Sequence, residues 1–244
     1  PYAGLFPLKS GIIPTEVTPK AYMWVLFESK FFHWLRNSLT VSLLTVTFTL
    51  IFVVPASYAF SRFRFFGKGK LLYGYLMFTQ FAGGMGMAGL IALYAILAYF
   101  GLTNDLLILA LIYSAGAVPF NTWLLKTYFD TIPKDFDEAA LVDGAGFFDL
   151  MLDVLLPIAK PGIATVAIFA FMGAWNEFII AQTILTTENY TLPVGLFLLV
   201  APEGGTSWTQ FAAMSLLFAA PVVVMYLVAQ RYFQAGLAMG GVKR

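Results

Sequence analysis

Five apolar runs of near-bilayer length decide what this 244-residue chain can fold into. Hydrocarbon offers no water to backbone N–H and C=O groups, so each run has to satisfy its own backbone as a helix. Span A runs from about Leu39 to Phe60, roughly 33 Å of helix against a hydrocarbon core of about 30 Å. Span B covers about Leu71 to Phe100, span C Leu106 to Leu125 with a kink expected at Pro119, span D Gly162 to Thr186, and span E Phe211 to Phe233. Hydrophobic residues make up 60% of the chain and charged residues 11%, where a soluble domain carries about a quarter charged. The expected fold class is therefore all-α and integral to the membrane, a polytopic helix bundle with five visible spans.

The basic residues give the bundle a direction. Arg62, Arg64, Lys68, Lys70, Lys126, Lys134, Lys160, Arg231, Lys243 and Arg244 follow spans A, C and E or lie in the loop between C and D. The other four all precede span A, and the loops Gly101–Asp105 and Thr187–Trp208 hold none. By the positive-inside rule the first group is cytoplasmic, and so is the C-terminus. Residues 1–34 then form an extracytoplasmic segment with one interfacial helix, where Trp24, Phe27, Phe31, Phe32 and Trp34 suit an aromatic belt. His33 lies in that belt and is read as an interfacial or packing residue. Residues 35–244 form the transmembrane domain. Gly101–Asp105 reads as a tight turn with an asparagine cap.

Between spans C and D the stretch from Pro133 to Pro157 is polar and acidic, and parses as two short helices. Pro133 suits the first helical position, and Asp135, Asp137 and Glu138 place negative charge in the opening turn, where the helix dipole favours it. Ala139 and Ala140 leave room for the backbone of another protein, and Gly144 and Gly146 let the helix end. The second helix carries an apolar stripe at Phe147, Phe148, Met151, Leu152 and Leu155 and stops at Pro157. Together they make a cytoplasmic platform on which an external motor could act.

The spacing of these residues resembles a known family. Glu138-Ala139-Ala140, Gly144 after a three-residue gap, and nine residues later Val154-Leu155-Leu156-Pro157 resemble the cytoplasmic EAA loop of permeases in binding-protein-dependent ABC importers. The family's usual isoleucine is Val154 here. Trp175-Asn176-Glu177-Phe178, Thr191-Leu192-Pro193-Val194-Gly195 and Gly236-Leu237-Ala238-Met239-Gly240-Gly241-Val242-Lys243 further resemble the MalG-like sugar permeases, from about Arg36 to the end.

That resemblance implies a type I ABC importer transmembrane domain with six spans, the first expected before Pro1. It implies a permease subunit for maltose, trehalose or a related oligosaccharide, working by alternating access in a bacterial or archaeal inner membrane. Its partners would be a second permease, two ABC ATPase subunits, an extracytoplasmic sugar-binding protein and membrane lipid. ATP and Mg would be bound by the ATPase. Glu138, Ala139, Ala140, Asp143, Gly144 and Pro157 would form the ATPase-coupling site, with the tail Gly236–Arg244 as a second contact. A permease for another small solute, such as glycerol-3-phosphate, is the alternative within this class.

Several chemistries are excluded or compete. The chain has no cysteine and one histidine, which removes thiol catalysis, disulfides and histidine clusters. No phosphate-gripping G-x-x-x-x-G-K-[ST] motif occurs, so the chain binds no ATP by a P-loop. With a net charge of +1 and no basic patch, nothing points to nucleic acid. Gly84 to Gly89 fits G-x-G-x-x-G, but inside an apolar run it marks close packing or local unwinding. Asn176 and Glu177 lie at bilayer depth, where a carboxylate costs about 2.5 to 3.5 kcal/mol and faces the bundle interior, a cavity or a subunit interface. Two readings fit: a sugar path that uses Trp175, Asn176, Glu177 and Gln80, or a polar clamp between helices. An ion-coupled secondary transporter with Glu177 as coupling carboxylate leaves the platform without a role. An intramembrane enzyme with Glu177 and His33 lacks a second catalytic group at helical spacing.

Overall fold

The computed structural model describes residues 19–83, 86–200 and 208–240, with side chains in 19–77, 86–200 and 208–227. Every regular element among them is helical: α1 (Lys20–Phe27), α2 (Phe31–Arg62), α3 (Lys68–Gly83), α4 (Gly86–Tyr99), α5 (Leu106–Phe129) and α6 (Asp135–Val142) come first. Then come α7 (Phe147–Asp149), a π-helical segment (Leu150–Leu155), α8 (Leu156–Ile158), α9 (Lys160–Asn176), α10 (Ile179–Ile184), α11 (Leu192–Val200) and α12 (Trp208–Gly240). Helices α2 and α5, and α12 over Trp208–Leu227, are long and apolar enough to cross a bilayer unaided.

The core is the packing of α2, α5 and α9. α2 turns its polar side inward: Asn37, Ser38, Ser42, Thr45, Thr49, Ser57 and Ser61 are buried, while Leu43, Ile51 and Phe52 face out. This inversion suits a lipid solvent, because small residues let helices approach closely and their hydroxyls bond across the interface. Thr45 Oγ1 donates to the Ala110 carbonyl at 3.4 Å and Ser57 Oγ to the Thr122 carbonyl at 3.0 Å. Gly162 of α9 works the same way, since a Cβ there would stand 2.7 Å from the Tyr128 ring.

Span B is described as α3, to Gly83, and α4, from Gly86, whose φ is +54°. Span D forms two helices rather than one. Span D breaks after Asn176, where Glu177 turns extended with ψ at 131°. Pro119 lies inside α5 and does not end it. Such prolines persist because neighbouring helices supply the packing that holds the helix together. The turn before α5 is capped by Asp105, not by an asparagine: its Oδ1 accepts from Leu107 N at 2.7 Å and Ile108 N at 3.2 Å.

The N-terminal end of α2 is joined to residues 188–195. Asn37 Nδ2 donates to the Tyr190 carbonyl at 3.1 Å, and Ser38 Oγ accepts from Leu192 N, the first residue of α11, at 2.7 Å. The His33 ring donates from Nε2 to the Glu188 carbonyl. Trp34 lies over Gly195 so closely that a Cβ there would fall 2.2 Å from the indole, which is the physical need for that glycine. Phe31 and Trp34, expected in an aromatic belt, are core residues, whereas Phe27 and Phe32 are exposed.

Candidate functional site

The polar stretch after α5 folds as a platform of α6, α7, the π-helical segment and α8, then meets α9 at a bend of 81°. Asp135, Asp137, Glu138, Asp143, Asp149 and Asp153 keep it out of hydrocarbon. α6 starts two residues later than expected, at Asp135 with Lys134 as its N-cap, and Glu138 N donates to Lys134 O at 3.0 Å. Pro133 precedes the cap. Its other end is set by Gly144, whose φ of +84° is a left-handed conformation that costs an L side chain strain. Gly144 N donates to Leu141 O at 3.1 Å and Ala145 N to Ala140 O at 3.0 Å, the paired bonds of a Schellman cap.

α6 has two faces with different neighbours. Asp137 and Ala140 are its buried residues, turned into the protein's own core. Glu138, Ala139, Leu141, Val142 and Asp143 face out, with Val142 87% exposed. Of the alanine pair expected to seat another backbone, only Ala139 is therefore presented. The second arm differs too. Leu150, Met151 and Leu155 are buried in the cluster with Tyr58, Leu125 and Phe129, while Phe148 and Leu152 point outward. The π-helical winding shifts the buried stripe away from the α-helical spacing read in the sequence. The helix also runs past Pro157 to Ile158, with Pro157 exposed.

Besides this apolar packing, a guanidinium ties the platform to α2 and α5. Arg62, the last residue of α2, places Nε 2.8 Å from Asp137 Oδ2. The approach is a charge contact rather than an aligned hydrogen bond. Its other nitrogens donate to carbonyls at the end of α5 and just beyond, Phe129 O at 3.2 Å and Ile132 O at 3.1 Å. Beside it Ser61 Oγ donates to Asp130 Oδ1 at 2.8 Å, and Asp130 pairs with Lys126 at 2.6 Å. Lys68 Nζ donates to the carbonyls of Ser61 and Phe63 at 3.2 Å, closing the C-terminus of α2. Burial, and then Lys126, pull the pKa of Lys68 below the usual lysine value. In the sequence Arg62 stands out only as loop charge. Its signal was its spacing, four residues after Tyr58, on the face that packs against Phe129 and Phe147.

The residues of span D occupy a second polar spot. Glu177 Oε1 accepts from Ile180 N at 2.8 Å and Oε2 from Ala181 N at 3.1 Å, capping α10. Tyr113 of α5 donates its hydroxyl to the same carboxylate. Trp175 is fully buried and stacks on Phe171 and Phe218, with ring centroids 5.5 and 5.6 Å away. Its Nε1 donates to the Phe218 carbonyl at 3.2 Å, so its ring is taken up by packing. Asn176 is exposed and bonds its own helix at Met172 O, 2.8 Å. Gln80 lies on α3 outside the described side chains, and the end of the tail lies outside the described residues.

Residues 21–238 match the family described as the binding-protein-dependent transport system inner membrane component. The chain belongs to this family. The permease is 41% identical to the galactooligosaccharides transport system permease protein GanQ of Bacillus subtilis, over 97% of this chain and 84% of that protein. It is 34% identical to the maltodextrin transport system permease protein MdxG of the same organism, over 88% of this chain and 77% of that one. The maltose/maltodextrin transport system permease protein MalG of Photorhabdus laumondii is 37% identical, over 86% and 72%. A solved structure of a bacterial ABC transporter involved in the import of the acidic polysaccharide alginate superposes with a TM-score of 0.73 at 27% identity, covering 91% of the permease and 81% of that chain. Membership makes the permease a membrane transport component rather than an enzyme, and removes the intramembrane-enzyme and ion-coupled readings.

Proposed function

We propose that the permease is the transmembrane subunit of an ATP-driven importer of a neutral oligosaccharide, and that Pro133–Pro157 is the loop on which a cytoplasmic ATPase acts. The observation that carries this is the outward face of the platform. Glu138, Ala139, Leu141 and Val142 of α6 are exposed, and so are Phe148 and Leu152 of the second arm. Large exposed apolar side chains on an acid-rich element fit a protein partner. Asp143, Gly144 and Pro157 are exposed as well. In this reading the platform and C-terminus are cytoplasmic. A second permease, two ATPase subunits holding ATP and Mg, and an external binding protein complete the importer, and substrate crosses by alternating access between two states. The domain is read as 35–244, with 1–34 outside.

The names of the relatives support a sugar substrate, and the sparse basic residues in the spans favour a neutral one. Of the three span D residues read as a sugar path, Asn176 is the exposed one and would meet a passing sugar, while Glu177 and Trp175 hold the walls in place. The test is purification of the complex from membranes, with ATP hydrolysis and uptake of maltotriose and galactotriose measured before and after Glu138→Lys. The reading expects a co-purified ATPase, uptake of one of these sugars by the wild type, and loss of uptake in the variant. A permease that purifies without an ATPase, or a variant that transports normally, contradicts it.

A further inference from the structure

We propose that Arg62 is the positioning residue through which a displacement of α6 reaches the helix bundle, with Asp137 as its receiver. The inference rests on the coupling-loop reading above and adds the path of transmission. α6 has eight residues, and only Asp137 and Ala140 are buried. α6 packs on the π-helical segment, with Ala140 in the cluster that also buries Leu150, Met151 and Leu155. Its charged tie to α2 is the ion pair, with side-chain exposures of 7% for Arg62 and 11% for Asp137.

The guanidinium is suited to this because its donors form a rigid planar fork. Each of its three nitrogens is committed to a different place: Asp137 on α6, the Phe129 carbonyl on α5, and the Ile132 carbonyl in the connection between them. Its stem belongs to α2, so a push on α6 loads α2 and α5 together. Those two helices are themselves cross-bonded at Thr45–Ala110 and Ser57–Thr122. The adjacent acids divide the work: Glu138 faces the partner and Asp137 faces the bundle. A lysine at 62 would keep the charge but lose the fork.

The test uses the assembled complex in proteoliposomes, with maltotriose and galactotriose as probes. Asp137→Asn and Arg62→Lys keep side-chain bulk, and both are expected to retain the ATPase at the wild-type ratio and to continue hydrolysing ATP. Sugar carried per ATP should fall by about tenfold, within the range by which a network residue alters coupling. Wild-type yield per ATP in either folded variant overturns the proposal. Loss of the ATPase from both variants also overturns it, since Arg62 would then build the docking surface rather than transmit through it. Thermal unfolding of both variants below the assay temperature would assign the pair to stability alone and equally overturn it. A wild-type complex that holds no ATPase would instead sink the coupling-loop reading, leaving the two failures distinguishable.

Discussion

The two ends of α2 are both tied to segments distant in the chain, but with different chemistry. At the N-terminal end the ties are neutral and run to backbone: Asn37 to Tyr190 O, Ser38 from Leu192 N, and Trp34 pressed on Gly195. At the other end a buried cation reaches two carbonyls at and just beyond the end of α5 and a carboxylate on α6, which otherwise packs on the π-helical segment. A side chain bonded to backbone in an apolar packing defines one arrangement, because moving it strands a polar group. An ion pair between two side chains fixes the distance between helices while leaving their packing slight. One end of α2 is thus built as an anchor, and the other as a joint.

The sharpest way to break this comparison is to remove the cation. Arg62→Met leaves Asp137 buried and unpaired beside two freed carbonyls, and such a loss costs about 3 to 5 kcal/mol. The expected result is a lowered thermal midpoint in detergent, with the increased protease cleavage concentrated in Pro133–Pro157. Cleavage spread evenly over the chain would mean that the pair serves the whole bundle and that the joint is no separate unit. At the other end Gly195→Val drives two methyl groups into the Trp34 indole, and overpacking of this kind costs about 1 to 3 kcal/mol. Here the midpoint should fall without preferential cleavage of the platform. A tolerated valine would show that Trp34 has room to leave, and that the anchor is looser than its packing indicates.

How much of this was legible in the sequence depends on which force places each residue. Spans A, C and E and the platform could be read because apolar runs and acid-rich stretches report directly on the solvent each segment prefers. The cap at Gly144 was legible for a local reason: a left-handed residue after a short helix favours glycine. The break at Glu177 was not, because it depends on a carboxylate turning back on Ile180 and Ala181 and meeting Tyr113 from another helix. The buried stripe of the second arm was missed because π-helical winding changes the spacing. Arg62 was counted for its charge, which gives sidedness, whereas its role follows from contacts with Phe129, Ile132 and Asp137 across long stretches of chain. The Ser and Thr stripe of α2, Ser38, Ser42, Thr45 and Thr49, was visible at helical spacing and marks the inner face once lipid is taken as the solvent.

The smallest expected effect concerns Asn104, which lies on the same side as the anchor and does two things at once. Its φ of +61° places a non-glycine residue in the left-handed region, and its Oδ1 accepts from Thr186 N at 2.9 Å. Its backbone also takes part, through Asn104 N to Ile184 O at 3.0 Å and Asn189 Nδ2 to Asn104 O at 2.7 Å. Those backbone bonds survive any side-chain change, so substitutions here separate conformation from bonding. Asn104→Ala loses the Thr186 bond and adds left-handed strain, each about 1 kcal/mol, because the Thr186 amide is exposed and water can replace its partner. Asn104→Gly loses the same bond but removes the strain, so its thermal midpoint should lie close to wild type and above that of the alanine variant. Equal midpoints for glycine and alanine would mean that strain plays no part and that the carboxamide bond alone holds this turn to Thr186. In that case the anchor would depend on single side-chain bonds just as the joint does, and the contrast between the two ends of α2 would narrow to the presence of charge.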